Sequence, residues 1–368
     1  MGSIGRHIFR TTLVAFLAIL ASVTTLLWMT QGLRNIDIIT NEGQTIFVFI
    51  GITGLIIPLL VLLIAPIALT LAVAYVLHKL GDDSELIVMN AAGMPPRRIF
   101  APFLAVGLVV SLLVGTTAFY VSPECLRDLR RWVTQVRFGI VTNNVQPGRF
   151  SVIEGKLTIH VRDRKPNGQL IGIMVDDQRD EKVRMTILAE RGDIMMDHGA
   201  YLVLENGTLQ QQETGTRDPR IIRFNDYAFD LSRLSPDLGT ITYSVQERFP
   251  WELWQATRRN PDSEEARRSR AELHSRIAAP LYPLAFLIVT FAFLGAPRST
   301  RHGRVLSLIS ALAVVAALRG VGFAGGIFGE REPSALLLPY VALVAASVLG
   351  GWGIARAVII EPPLFSML

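Results

Sequence analysis

The chain holds a single cysteine, Cys125, in 368 residues. No disulfide can form within it, so any domain outside a membrane must stand on its own core. Its six histidines, at positions 7, 78, 160, 198, 274 and 302, are scattered. No two have metal-ligand spacing, which leaves a metal site without support. The pattern G-x-x-x-x-G-K-[ST] is missing throughout. A P-loop needs that turn to cradle phosphates and that lysine to reach them, so this chain does not hydrolyse ATP by that route. No Ser-His-Asp or paired-carboxylate arrangement stands out, which argues against an enzyme. The formal charge is only +5, from 36 Lys+Arg against 31 Asp+Glu. That excess follows the topology derived below and does not suggest nucleic acid.

Long hydrophobic runs, by contrast, are plentiful. Half of the residues are hydrophobic, and they come in blocks of about 20, long enough to cross a bilayer. Spans are expected at 9–30, 46–77, 99–121, 277–295, 304–325 and 335–356. The apolar run Thr11 to Met29 is too long for a signal-peptide core of about 7–15 residues, so the first span is retained. Pro58 and Pro66 interrupt the second block, and a tilted or broken helix is expected there. Orientation follows from the basic residues at the span ends. With the N-terminus inside, the short inner segments carry Arg6, Arg10, Lys79, Arg97, Arg98, Arg298, Arg301, Arg304 and Arg356, and the short outer loops only Arg34 and Arg331. Both termini then face the cytoplasm, and the long segment 122–276 lies outside.

In that segment the periodicity changes to alternation. Ser151–Glu154, Lys156–Val161, Leu170–Val175, Met185–Ala189, Tyr201–Leu204 and Ile221–Phe229 read as strands. Turn signals stand at Glu154-Gly155, Pro166-Asn167-Gly168, Asp197-His198-Gly199 and Glu205-Asn206-Gly207. The expected architecture is a membrane all-α protein of six helices with an inserted β-sandwich or jelly roll. Residues 1–121 carry spans one to three, 122–276 the β-rich domain with helical flanks at 122–138 and 262–276, and 277–368 spans four to six.

The inner loop between spans two and three runs Leu80-Gly81-Asp82-Asp83-Ser84-Glu85-Leu86-Ile87-Val88-Met89-Asn90-Ala91-Ala92-Gly93-Met94-Pro95-Pro96. Asp82 and Glu85 have capping-box spacing, and Gly93 stands where a helix C-cap wants glycine, with prolines after it. A helix of about ten residues is expected over 82–93, about 15 Å long. It either rests on lipid or docks its carboxylates into a basic groove of a cytoplasmic partner.

Asp83-Ser84-Glu85-Leu86-Ile87-Val88-Met89-Asn90-Ala91-Ala92-Gly93 resembles the signature of the LptF/LptG (YjgP/YjgQ) permeases of lipopolysaccharide export. Arg270-Ala271-Glu272-Leu273-His274-Ser275-Arg276 and Arg301-His302-Gly303-Arg304-Val305-Leu306-Ser307 are further matches, and Val88-Met89 looks more like the LptF branch. The resemblance covers essentially the whole chain. It implies a permease subunit of an ABC transporter in the bacterial inner membrane, paired with a second, LptG-like permease. It implies further an LptB-like cytoplasmic ATPase dimer, and a periplasmic β-jelly roll that joins an LptC/LptA-like bridge. The substrate implied is lipopolysaccharide; no cofactor is bound directly, and ATP is used by the partner. By the same analogy Glu85 is the acidic contact with the ATPase, with Asp82, Asp83, Ser84 and Met89 completing the coupling set.

Arg319 in span five is costly at membrane depth, and Arg34 lies just past span one at a similar level. Both are candidate contacts for anionic groups of a lipid, because arginine binds phosphate bidentately; the alternatives are snorkelling for Arg319 and an ordinary loop position for Arg34. A stand-alone secondary transporter normally shows an internal repeat and intramembrane carboxylates, yet no Asp or Glu lies inside the six spans. A membrane scaffold or sensor with an external β domain needs a cytoplasmic output domain, and the longest inner segment is only the loop around 78–98.

Overall fold

A computed structural model of the chain describes residues 2–34, 46–144, 148–153, 157–165, 169–178, 183–196, 200–213, 220–230, 243–295 and 301–356. These residues form two compact units, one of residues 1–129 with 244–368 and one of 130–243.

The first unit is helical. Helix α1 spans Ser3–Arg34, α2 Ile46–Gly54, α3 Ile57–Asp82, α4 Glu85–Ala91 and α5 Pro96–Thr116. A π-turn over Thr117–Val121 leads directly into α6, Ser122–Asn144. After the strands come α7 (Pro250–Arg259), α8 (Glu264–Ala278), α9 (Leu281–Leu294), α10 (Arg301–Gly329) and α11 (Leu338–Arg356). Among the described residues, five helical stretches are long and apolar enough to cross a membrane: Ser3–Leu33, Ile50–Asp82, Pro96–Val133, Val305–Gly329 and Pro333–Ala355. The count rises to six when α8 and α9, bent by 46°, are taken as one span. The bend has a local cause, since Pro280 and Pro283 have no N–H for the helical ladder. The second span breaks where proline predicts: regular i−4 bonding gives way at Leu55-Ile56, and Pro58 enters the first turn of α3.

The helical core is built from α1, α3, α5 and α9. Ala65, Leu69, Ala72, Val73, Phe103, Val106 and Leu287 are sealed from solvent, with Ile8 and Phe16 of α1 against them. Gly107 allows α5 and α9 to approach, because a Cβ there would lie 2.6 Å from the Leu287 side chain. Many outward side chains are apolar and exposed, such as Leu26, Leu112 and Val348. Lipid is the solvent such surfaces fit.

The second unit carries strands β1 (Phe150–Ile153), β2 (Leu157–Arg164), β3 (Leu170–Asp177), β4 (Val183–Met196), β5 (Ala200–Glu213) and β6 (Arg220–Asp230). They form one antiparallel sheet in sequential order, a meander. The inserted β domain is thus present, and its described strands each pair with their neighbour in sequence. Its buried cluster includes Leu157, Val161, Ile173, Val175, Ile187 and Leu204. Asp176 is a buried charge of this sheet. It accepts from Arg184 Nε at 3.0 Å and Nη2 at 2.8 Å, from Thr186 Oγ1 at 2.9 Å and from Gln178 Nε2 at 2.7 Å. The Arg184 hydrogen bonds hold its carboxyl down at about 2, burial acting in the opposite sense.

One turn signal is overturned. Asn206-Gly207 lies in the interior of β5, where Asn206 takes a left-handed backbone (φ 52°) and the pairing continues in register on both sides. Glycine is required next to it by close approach: a Cβ on Gly207 would lie 2.4 Å from both the Leu188 carbonyl oxygen and the Phe224 ring. Of the other signals, Glu154-Gly155, Pro166-Asn167-Gly168 and Asp197-His198-Gly199 lie outside the described residues.

Candidate functional site

The helix between the second and third spans differs from the expectation in extent. Asp82 ends α3, and the amides of Asp83 and Ser84 still bond back to Lys79 O (2.9 Å) and Gly81 O (3.3 Å). Asp82 is therefore not an N-cap, and the expected capping box does not form. Ser84, with φ 58°, makes the corner, and α4 has seven residues. The corner exists because α3 runs on through its apolar core contacts as far as Leu80, which is 5% exposed. A left-handed residue is then needed to turn the chain back.

The other end conforms. Gly93 has φ 74°, its amide bonds to Asn90 O at 2.9 Å, and the Met94 amide bonds to Met89 O at 3.0 Å. This is the Schellman pattern, and Pro95-Pro96 then open α5. Leu86 (3% exposed) and Met89 (6%) face inward and join the helical core. Of the expected coupling residues, Asp82, Asp83, Ser84 and Glu85 are exposed, whereas Met89 is buried and seats the helix. Ile87 and Val88 take the outer face at 50% and 64% exposure. The outward surface thus combines two aliphatic side chains with the three carboxylates of Asp82, Asp83 and Glu85. Asp82 is paired with His78 one turn earlier at 3.3 Å, a contact exposed on both sides. An apolar cavity of about 400 Å³ lies beside the helix, lined by Tyr75, His78, Leu86, Ile87, Phe293 and Leu308 among others.

Arg319 lies in the second half of α10, just past its middle. Its guanidinium stands 4.8 Å from the ring centroids of both Tyr282 and Phe323. Its Nε is buried without a hydrogen-bond partner among the described residues. It lines a small cavity of about 50 Å³ together with His274, Ser275, Tyr282, Gly322 and Phe323. Gly322 makes room for the aromatic wall, since a Cβ there would lie 1.9 Å from the Tyr282 hydroxyl. Arg34 is the last residue of α1, and its side chain is outside what the structure describes.

A hub at the start of the fourth span was not expected, although its Glu272 and Arg276 lie in the matched stretch Arg270–Arg276. Arg276, 6% exposed, pairs with Glu272 at 2.8 Å and donates to the carbonyls of Arg248 (2.7 Å) and Gln246 (2.8 Å). From α6, Arg127 donates to Glu247 O at 2.7 Å, pairs with Glu252 and stands 4.3 Å over the Phe249 ring. Two guanidiniums thus grip the segment 244–249. The signal was available as Ser244-x-x-Glu247, where the Ser244 amide donates to the Glu247 carboxylate at 2.8 Å.

The family described as lipopolysaccharide export system permease LptF/LptG matches residues 6–356. The chain is 23% identical to an uncharacterised protein of Rickettsia prowazekii, over 94% of this chain and 96% of that relative. It is 24% identical to the lipopolysaccharide export system permease protein LptF of Escherichia coli K12, over 83% of this chain and 82% of the relative. The LptF protein of Shigella flexneri matches to the same extent.

Proposed function

Because the chain belongs to the LptF/LptG family of lipopolysaccharide export system permeases, we propose that it is the permease subunit of an ABC-type exporter. It extracts lipopolysaccharide from the bacterial inner membrane and passes it toward a periplasmic bridge. The observation that carries this reading is α4: a short helix seated by Leu86 and Met89 that turns Glu85, Ile87 and Val88 outward. A stand-alone transporter has no need of such a presented face, and a chain without a P-loop needs a separate ATPase. An apolar patch rimmed by carboxylates suits a groove that is apolar at its centre and basic at its edge.

The distribution of basic residues supports a cytoplasmic location for α4, since Lys79, Arg97 and Arg98 flank it. By the same rule the strand-bearing unit lies in the periplasm. Lipopolysaccharide carries phosphates and acyl chains together. Arg319, with an unpartnered Nε at a small cavity, is the residue we assign to the anionic part, with Arg34 as a second. The aromatic rings around Arg319 lower the local dielectric and strengthen the attraction of its charge for phosphate. ATP is consumed by the partner, and this subunit binds no cofactor of its own.

The test is affinity purification of the tagged chain from membranes in mild detergent, with mass spectrometry of what accompanies it. Recovery of a P-loop ATPase and a second six-span permease supports the reading. Recovery of the chain alone, or as a homodimer without an ATPase, overturns it in favour of a stand-alone transporter or scaffold.

A further inference from the structure

Helix α7 is amphipathic in an unusual way. Leu253 is sealed inside and Phe249, at its N-cap, is 7% exposed. The opposite face shows Trp251 and Trp254 at 54% and 52% exposure, with Gln255, Arg258 and Arg259 around them. Two indoles left half open on one ten-residue helix need an explanation, because indole is poorly accommodated in water yet carries an N–H that hydrocarbon cannot satisfy. Both rings are braced. Trp251 stacks on Phe249 with centroids 4.4 Å apart and 7° between planes, and the Arg258 guanidinium stands 4.9 Å over Trp254.

The depth of this helix is set by contacts independent of its tryptophans. The Phe249 ring lies 5.9 Å from that of Tyr120, in the π-turn that closes the apolar run of α5. Along that run Leu108, Leu112, Thr116 and Tyr120 form an outward stripe at i+4 spacing, exposed like the other lipid-compatible surfaces. The Thr116 hydroxyl is satisfied within its own helix by Leu112 O and Leu113 O, both at 3.0 Å. Immediately beyond come Glu124, Arg127 and Asp128. The chain thus passes from an apolar to a charged surface at Tyr120, and Arg127 bolts α7 to that level through Glu247 O and Glu252. An open groove of about 720 Å³ runs along the stripe, lined by Leu108, Leu112, Thr116, Tyr120 and Pro280 among others. Its apolar lining suits an acyl chain.

We propose that α7 is an interfacial anchor. It lies on the outer face of the membrane with Trp251 and Trp254 at the boundary between headgroups and acyl chains, and Arg258 and Arg259 reach lipid phosphates. Continuity with the apolar stripe of α5, which ends in the same aromatic contact between Tyr120 and Phe249, selects a phospholipid surface over a protein groove. The anchor rests on geometry and does not depend on the export reading.

The test uses the full chain, alone and with whatever copurifies, in phospholipid nanodiscs. Trp28, Trp132 and Trp352 are replaced by Phe, leaving Trp251 and Trp254 as the only indoles. Lipids brominated near the headgroup should quench the emission strongly, and lipids brominated at the chain end distinctly less, as expected for a helix buried about 5–10 Å at the boundary. If aqueous iodide quenches and neither lipid does, the face is solvated and the proposal fails. Lipid quenching that disappears in the complex would show a protein interface and overturns it equally. Should the triple variant not fold, a nitroxide on Gln255→Cys in a Cys125→Ser background reads the same depth. Preferential collision with oxygen supports the anchor, and preferential collision with a water-soluble nickel chelate refutes it.

Discussion

Arg276 on α8 donates through Nη1 to the backbone carbonyl of Arg248 at 2.7 Å, across a separation of 28 residues in the chain. The same guanidinium reaches Gln246 O and Glu272, so a single side chain satisfies groups on two segments. Replacing it with Ala leaves those acceptors without their donor in a site only 6% exposed. Arg276→Ala is expected to destabilise the helical unit by about 3 kcal/mol. Arg276→Lys should recover only part of this, because an ammonium cannot reproduce the planar fork. Thermal unfolding of the two purified variants in detergent checks both values.

Glu85 is exposed and Met89 buried, so the two should fail differently. On the proposed docking role of α4, Glu85→Lys is expected to leave the melting temperature unchanged and abolish recovery of the proposed ATPase partner in affinity purification. Met89→Ala removes a buried side chain and should cost about 2–3 kcal/mol of stability. Full ATPase recovery with Glu85→Lys would remove the docking role of α4.

Two left-handed residues flank α4 and should respond with opposite signs. Gly93 has φ 74° and open space around the position a Cβ would take, so Gly93→Ala meets only backbone strain. A loss of about 1 kcal/mol is expected. Ser84 adopts φ 58° without being glycine, and Ser84→Gly should gain up to about 1 kcal/mol. Chemical denaturation of both variants under one set of conditions decides the signs.

The Asp176 carboxyl is held at about 2 in the folded chain, below its usual 3.8. A lowered folded value stabilises at pH above the unfolded one, and that contribution disappears as pH falls through about 2. The pair with half-exposed Arg184 is expected to contribute about 2 kcal/mol near neutrality. Asp176→Asn should therefore melt lower than the parent at pH 6, and the gap should close between about pH 4 and pH 2. A gap that stays constant over that range would show that the charge of Asp176 is not the cause.

In the proposed exporter, Arg319→Ala is expected to remove most of the lipopolysaccharide stimulation of the proposed ATPase partner while basal hydrolysis persists. Gly322→Ala should do the same more weakly, by displacing the Tyr282 ring that a new Cβ would meet at 1.9 Å. Unchanged stimulation in Arg319→Ala sinks the phosphate assignment and leaves this arginine as a packing residue between two rings.

The amino-acid order by itself determined the hydrophobic spans, the break in helical bonding before Pro58, the inserted strands and the Gly93 helix stop. Each depends on a period or a backbone preference that operates within a few residues. Tertiary contacts decided the rest. Asp82 looks like a helix start in isolation, but the core contacts of α3 carry that helix through it. Met89 reads as part of an exposed motif, yet the 3.6-residue period of a seven-residue helix turns it inward beside Leu86. Asn206-Gly207 resembles a hairpin until β4 and β6 are seen to pair with β5 on both sides of it. The grip of Arg127 and Arg276 on segment 244–249 joins residues more than a hundred positions apart in one case. Local propensity cannot encode such contacts, because they form only when the packed helices bring distant donors and carbonyls together.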